Sequence, residues 1–406
     1  MSCKPRMVEL TEYETRTFAE GDFSERHARI IYSSYPHQID IQPPSFLNDR
    51  VWRLTSLGWV GYIPLADDLH LSLVPRVPVG NLFRMLEYAY RLDLKVLEGL
   101  TESESIVDVY DRLALILAKR ALDRIKKGLY RSYIPERRRL PYLRGRLDVE
   151  SHIRTPHRVT LPCNFEEHTS DLEDNQILLW TLTRILEGGI CSERSLPHVR
   201  KARRALLCFS SLRPFNGKDC AERLYNRLNQ DYEPMHALCR FFVEHTGPTH
   251  LAGDHRMLPI LVDMDRLFEL FVVEWLRQNV PPGFVVHGQE KVQIRMGHIV
   301  AISIDITIDD VERGRTIRVV DTKYKAPEQP SASDIEQVVA YAEAKDCNCA
   351  ALVYPISLEK PVRGKWGRNI FVESLAFPLQ GDLERAGQEL LEQILRYRPA
   401  DEGDST

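Results

Sequence analysis

The sequence predicts an α/β multidomain protein: a β-rich N-terminal domain, a mostly helical middle region and a C-terminal α/β unit. Three observations carry this. At 406 residues the chain suits two or three domains better than one. Short β-prone runs fill roughly its first 80 positions and give way to long helical periodicities from Ile106. Strand patterns return near residue 284 with helical patterns on either side, the alternation of an α/β layer. The predicted domains are 1–105, 106–258 and 259–398, with a frayed tail at 399–406.

In the front domain the runs Ile30–Tyr32, Val51–Leu54 and Trp59–Ile63 read as strands, punctuated by Pro43-Pro44, Gly58 and Asp67-Asp68. Leu69, Leu71 and Leu73 alternate with His70, Ser72 and Val74, a strand buried on one face. From Asn81 to Leu92, Leu82, Met85, Leu86 and Ala89 make one helical face. In the middle, Val109, Leu113 and Ile116 predict a helix over 106–127 that stops at Gly128. A capping box of Ser170 and Glu173 opens another, carrying Leu178, Leu182 and Ile185 to Gly188-Gly189. Further helices are predicted over 198–210 and 231–243. In the last third a helix over 264–278 precedes strands at 284–295, 299–309 and 315–325. A helix over 334–346, opened by Ser333 and Glu336, and a strand at 350–354 complete the unit.

Charge is uneven. Lys119–Arg158 holds thirteen Lys/Arg against four Asp/Glu, a net +9 in a chain whose total is -4. Such a stripe is either a solvated charged face or the footprint of a polyanion such as nucleic acid. Arg137, Arg138 and Arg139 are the part best suited to contact DNA phosphate. No run of 18 apolar residues predicts a membrane span, and the first residues lack an apolar signal core. The eight cysteines therefore read as reduced thiols of a cytoplasmic protein, with Cys163 a core thiol. No G-x-x-x-x-G-K-[S/T] occurs, so no P-loop nucleotide hydrolysis is expected of this chain. No base-reading module is evident either.

The chemistry concentrates near residue 305. In Ile302–Ile308 the isoleucines take one parity and Ser303, Asp305 and Thr307 the other. Asp321 and Lys323 share one face of the next strand, beyond a turn near Gly314. If the strands pair in register, Asp305, Asp321 and Lys323 converge. Two adjacent carboxylates suit a hard cation such as Mg²⁺, with Mn²⁺ as the substitute. A lysine beside them can position a water or stabilise developing charge. Together these are equipment for phosphodiester hydrolysis. Glu269 sits in an apolar helix where a bare carboxylate is costly, and Gln337 and Tyr341 share one face of the following helix. Each residue alone has a bland reading as helix surface or chance spacing, whereas the ordered set points to one site.

This set resembles the PD-(D/E)xK nuclease core, in the branch whose next helix carries Gln-x-x-x-Tyr, with Ile304 where many members have Pro. Leu143–Asp148, Cys163–Glu167 and Asp171–Asn175 resemble the McrC family, as do Pro75-Arg76, Met85–Ala89 and Asp321–Lys325. The resemblance implies a C-terminal PD-(D/E)xK-type nuclease domain with Asp305 and Asp321 on Mg²⁺. It also implies a McrB-like AAA+ GTPase hexamer as partner, with double-stranded modified DNA as substrate. The N-terminal domain would then dock into the motor ring and stimulate GTP hydrolysis. A nuclease serving a different motor in repair, and a non-cleaving adaptor of an AAA+ ring, are the alternatives. Arg144, Arg146, Asp171 and Asn175 read mainly as residues that hold the fold.

Overall fold

The computed structural model describes residues 6–396, apart from 20, 47, 67, 93–104, 190, 247–249, 253–254, 258, 296–298, 326 and 368; the expected tail at 399–406 lies outside them. The chain divides into two compact units, Met1–Val109 with Gly247–Thr406, and Tyr110–Thr246.

The front of the first unit holds strands β1 (Arg6–Thr11), β2 (Thr15–Phe18), β3 (Ile39–Gln42), β4 (Trp52–Ser56), β5 (Trp59–Pro64) and β6 (Leu69–Val74). Helices α1 (Glu25–Ser34) and α2 (Val79–Tyr90) accompany them. One sheet has the order β2-β4-β3. In β6, Leu69, Leu71 and Leu73 are buried, joining Leu10, Ile31 and Leu54 in one core. The Ile30–Tyr32 run is not a strand but part of α1. Ser24 caps this helix with His27 in a reciprocal box, and Ile31 is buried while Tyr32 is exposed. That one-sided burial is a helical stripe, which three apolar letters in a row conceal.

The second unit holds most of α3 (Ile106–Lys127), then β7 (Ser132–Leu140), β8 (Arg146–Leu147), α4 (Val149–Ile153), β9 (Leu161–Thr169), α5 (Glu173–Glu187), α6 (Leu196–Leu207), α7 (Gly217–Ala221) and α8 (Glu233–His245). The expected helices are present, but so is a three-stranded sheet of order β7-β9-β8 that the sequence does not announce. Among β7's nine residues none is fully buried, so the apolar alternation that marks a strand is missing. Ser170 does not cap α5, whose N-cap is Leu172. Asp171 instead accepts from Gln176 and the Ser211 amide, both at 2.7 Å. Asn175 donates to the carbonyls of Ser170 at 2.7 Å and Tyr130 at 3.0 Å.

The chain then returns to the first unit through β10 (His250–Ala252), β11 (His255–Met257), β12 (Ile260–Asp263) and α9 (Met264–Asn279). β12 completes the front sheet, β1-β6-β5-β12, by pairing antiparallel with β5. Gly61 permits it, because a Cβ there would meet the Ile260 carbonyl and its φ is +147°. The largest sheet contains β13 (Phe284–Arg295), β14 (Ile299–Asp310), β15 (Arg315–Thr322), β16 (Cys349–Tyr354), β17 (Arg363–Trp366) and β18 (Ile370–Ala376), in the order β13-β14-β15-β16-β18-β17. β13, β14 and β15 are antiparallel neighbours, β15, β16 and β18 parallel ones. α10 (Ala332–Ala344) makes the crossover from β15 to β16, and α11 (Leu383–Arg396) ends the described chain. α10 begins on Ser331, which accepts from the Asp334 amide, not on the expected Ser333. Val338, Val339 and Ala342 of α10 pack with Val319 and Leu352 of the sheet. Phe271 and Trp275 of α9 meet Phe377, with ring centroids 4.8 and 5.7 Å apart. No described helix is long and apolar enough to cross a membrane.

Candidate active site

Ile306 stands opposite Val320 and Thr307 opposite Val319. One step further in that register Asp305 faces Asp321, and directly opposed residues project from the same face. The expected convergence is therefore present. Asp305 is half-buried, and its Oδ2 accepts from the Thr322 amide at 3.0 Å and hydroxyl at 3.3 Å. Asp321 is fully buried. Lys323 Nζ lies 2.9 Å from Asp321 Oδ2 and 3.7 Å from Asp334 Oδ1, and donates to Gln337 Oε1 at 3.2 Å. The Lys323–Asp321 approach is a close charge-assisted contact on Oδ2, while Asp321 Oδ1 has no hydrogen-bond donor. Gln337 in turn donates to the Tyr341 hydroxyl at 2.7 Å. A helix start at Ala332 puts Gln337 and Tyr341 one turn apart on α10, which is why both reach the lysine's side of the sheet.

Electrostatics follow from burial. Desolvation pushes the Asp321 carboxyl up to about 7, and the neighbouring Asp305 charge adds to it against the pull of Lys323. Asp305 is raised for the same leading reason. Burial works against the charge on Lys323, yet Asp321, Asp334 and Asp305 outweigh it and hold its pKa above the ordinary value. The lysine is therefore an ammonium donor, not a base. Glu269 of α9 is half-buried and pushed up to about 7, by burial first and by Asp305 second. Its Oε1 accepts from Gln289 at 3.2 Å. Gln289 holds φ +51° at the step where the β13–β14 ladder skips the position across from Asp305.

The donor set bears on whether a divalent cation belongs here. Two acids side by side, Asp305 half-buried and Asp321 fully buried with no donor on its Oδ1, face a single lysine. That is a local shortage of positive charge, and Mg²⁺ takes one or two carboxylates while keeping several waters. The pair fits. Among the described residues no three His, Cys, Asp or Glu side chains form a metal-holding group, so water and substrate would complete the shell.

Three participants escaped the sequence reading: Thr322, Asp334 and Gln289. Thr322 was legible as the middle residue of Asp-x-Lys. Asp334 and Gln289 carry no local signal, since only the tertiary fold brings them near.

Arg137, Arg138 and Arg139 lie elsewhere, on β7, and a strand sends alternate side chains to opposite faces. Arg137 pairs with Asp148 and donates to Ser151 Oγ at 2.8 Å. Arg139 binds the carbonyls of Thr160 and Ser151 at 3.1 and 3.2 Å. Arg138 turns to Glu136 and Glu167, at 3.4 and 3.9 Å.

The geometry defines a class first: a mixed α/β protein with a buried carboxylate pair and a lysine on adjoining strands, capped by a Gln/Tyr-bearing helix. Its family follows from comparison. Residues 54–355 match the family model described as McrBC 5-methylcytosine restriction system component, and the chain belongs to that family. It is 23% identical over 266 residues to the type IV methyl-directed restriction enzyme EcoKMcrBC of Escherichia coli (strain K12), covering 62% of this chain and 74% of that protein. Its fold resembles a chain from the Thermococcus gammatolerans tetradecameric assembly of McrB AAA+ hexamers with bound McrC. That match has a TM-score of 0.55 and 16% identity, over 96% of this chain and 100% of that one. A chain of the cryo-EM McrBC complex of T. gammatolerans aligns at TM-score 0.44 and 20% identity, over 68% of this chain and 88% of that one.

Proposed function

We propose that this chain is the Mg²⁺-dependent endonuclease subunit of a GTP-dependent, McrBC-like restriction complex. It would cut methylated double-stranded DNA in the cytoplasm and stimulate an AAA+ GTPase hexamer. The observation that carries the reading is the meeting of Asp305, Asp321 and Lys323 on two neighbouring strands of a restriction-system family member. On this reading β13–β16 with α9 and α10 form a PD-(D/E)xK core. Fold likeness to a chain of an assembly of McrB AAA+ hexamers with bound McrC supports the motor partner.

Asp305 and Asp321 would hold Mg²⁺. The bound cation would lower the pKa of an attached water and neutralise charge on the phosphate. Thr322 fixes the Asp305 carboxylate through two hydrogen bonds. Lys323, kept charged by its carboxylate neighbours, supplies positive charge to the pentacovalent phosphate. Gln337 orients the lysine, and Tyr341 fixes the amide that does so. Glu269 adds a third carboxyl, pushed up to about 7 by burial and by the Asp305 charge. Arg137, Arg138 and Arg139 would contact the DNA backbone outside the site.

The test is cleavage of methylated and plain DNA by the full chain with its neighbouring AAA+ protein, GTP and Mg²⁺. Wild type should cut the methylated DNA, and Asp321→Asn should not, while both stimulate GTP hydrolysis equally. Stimulation without any cleavage by wild type would leave an adaptor.

A further inference from the structure

Pro75-Arg76 has no part in the site above, yet Arg76 sits in an unusual place. Its guanidinium lies over the Tyr13 ring, 5.5 Å from the centroid, and Lys325 Nζ lies over the same ring at 5.7 Å. The two cations are thus no more than about 11 Å apart, and neither makes a salt bridge among the described residues. Asp265 feels the charge of Lys325, and of Lys323 as well, but burial raises its own pKa. The charge of buried Glu12 acts on Arg76 and that of Asp265 on Lys325, and two cations over one ring on a cavity wall can still take a phosphate between them.

The platform is built, not incidental. Tyr13 holds φ +57°, an uncommon conformation for a bulky residue that persists only where the surroundings enforce it. Gly58 makes room for it, because a Cβ there would collide with the Tyr13 hydroxyl. Beside it Glu12 is fully buried. Its Oε2 accepts from the Tyr324 hydroxyl at 2.8 Å, and its Oε1 has no hydrogen-bond donor. Glu12, Tyr13, Arg76, Tyr324 and Lys325 line one cavity of about 200 Å³. The cavity adjoins the site through the chain itself: Lys323 serves the site, Tyr324 anchors Glu12, and Lys325 reaches the ring. Two residues span at most about 7 Å of extended chain, the order of the step between successive phosphates on a strand.

We propose that Arg76 and Lys325, presented on Tyr13, hold the DNA-strand phosphate next to the one being cut. This rests on the nuclease reading and adds a strand-positioning pocket to it. A planar guanidinium suits phosphate by its fork of donors, and holding the neighbouring phosphate adds binding that the ground state and the transition state share.

The experiment uses the full chain with its AAA+ partner and duplexes carrying one neutral methylphosphonate at successive positions around the cut. In wild type, neutralising the adjacent phosphate should raise KM about tenfold with kcat little changed, the weight of one charge-assisted contact. Arg76→Gln and Lys325→Gln should each raise KM about tenfold on ordinary DNA. The same methylphosphonate should then add less than about twofold to either variant, while one at a remote position acts on all three alike. Lys325 is exposed, so its replacement leaves the fold alone and tests the pocket even if Arg76→Gln destabilises the chain. Variants with wild-type KM, or an unchanged methylphosphonate map, overturn the inference. So does loss of GTPase stimulation with unchanged KM for DNA, which would give the pocket to the partner protein. A wild type that cuts nothing fails the nuclease reading itself, and this pocket with it.

Discussion

Asp321→Asn should make the metal-free protein more stable while abolishing its proposed catalysis. Asp321 is fully buried and its carboxyl is pushed from 3.8 up to about 7. Each pKa unit is about 1.4 kcal/mol, so ionising this group inside the fold costs about 2–4 kcal/mol, the lower figure allowing for its pairing with Asp305. A carboxyl whose folded value lies above its unfolded value binds its proton more tightly when folded. Metal-free stability should therefore be greatest in acid, fall as pH rises from about 4 to about 7, and level off above. Asparagine cannot ionise and escapes that decline. At pH 8 in EDTA the variant should melt roughly 5 °C above wild type, and at pH 4 the two should nearly coincide. Mg²⁺ at ten times its dissociation constant should add about 1.4 kcal/mol to wild type and little to the variant. Calorimetry across pH 4–8, with EDTA or Mg²⁺, measures all of this. A variant that melts at or below wild type at pH 8, or that gains as much from Mg²⁺, refutes the argument that Asp305 and Asp321 are a cation site held ready at the expense of stability.

Other outcomes follow from the same geometry. Lys323→Ala should lower cleavage about a thousandfold or more yet keep the Mg²⁺-dependent rise in melting temperature, read in one titration. Glu269→Gln should remove an inflection near pH 7 from the pH–rate profile, since burial raises this carboxyl to about 7; a persistent inflection means that another group titrates there. Tyr324→Phe removes the hydroxyl that donates to buried Glu12 and should cost about 1–3 kcal/mol in thermal unfolding. Replacing Arg137, Arg138 and Arg139 by Ala should weaken DNA binding at all sequences and reduce its salt slope by up to about 3. An unchanged slope would make these arginines ties to Asp148, Ser151 and Glu167.

The site was legible because its chemistry is local. Asp305 and Asp321-x-Lys323 lie on strands joined by a short turn, so period-two alternation and one hairpin place all three. Gln337 and Tyr341 needed only the next helix. The sheet of the second unit was not legible, since β7 presents charged and half-exposed residues on both faces. α1 was misread because three apolar letters in succession do not distinguish a strand from a helix; the Ser24–His27 cap settles it. The caps of α5 and α10 each fell two residues from their expected places. The return of β12 to the front sheet has no sequence signature, because the pairing joins segments nearly 200 residues apart.

That distant pairing also sets a schedule for the ribosome. β5 emerges early, but its neighbour β12, with Leu261 that completes the front core, is made nearly 200 residues later. At about 5–20 residues per second the wait is roughly 10–40 s. Through that interval the newborn front half carries an open strand edge and an unfilled apolar slot, the features that recruit chaperones or other chains. Residues 110–246, a unit of their own, have time to fold first. A chain cut back to begin near Ile106 inverts the problem and leaves β12 with nothing to pair with. Loss of motor stimulation in such a chain would report a broken sheet as readily as a missing docking surface, so single exposed substitutions are the sounder way to map where the motor is held.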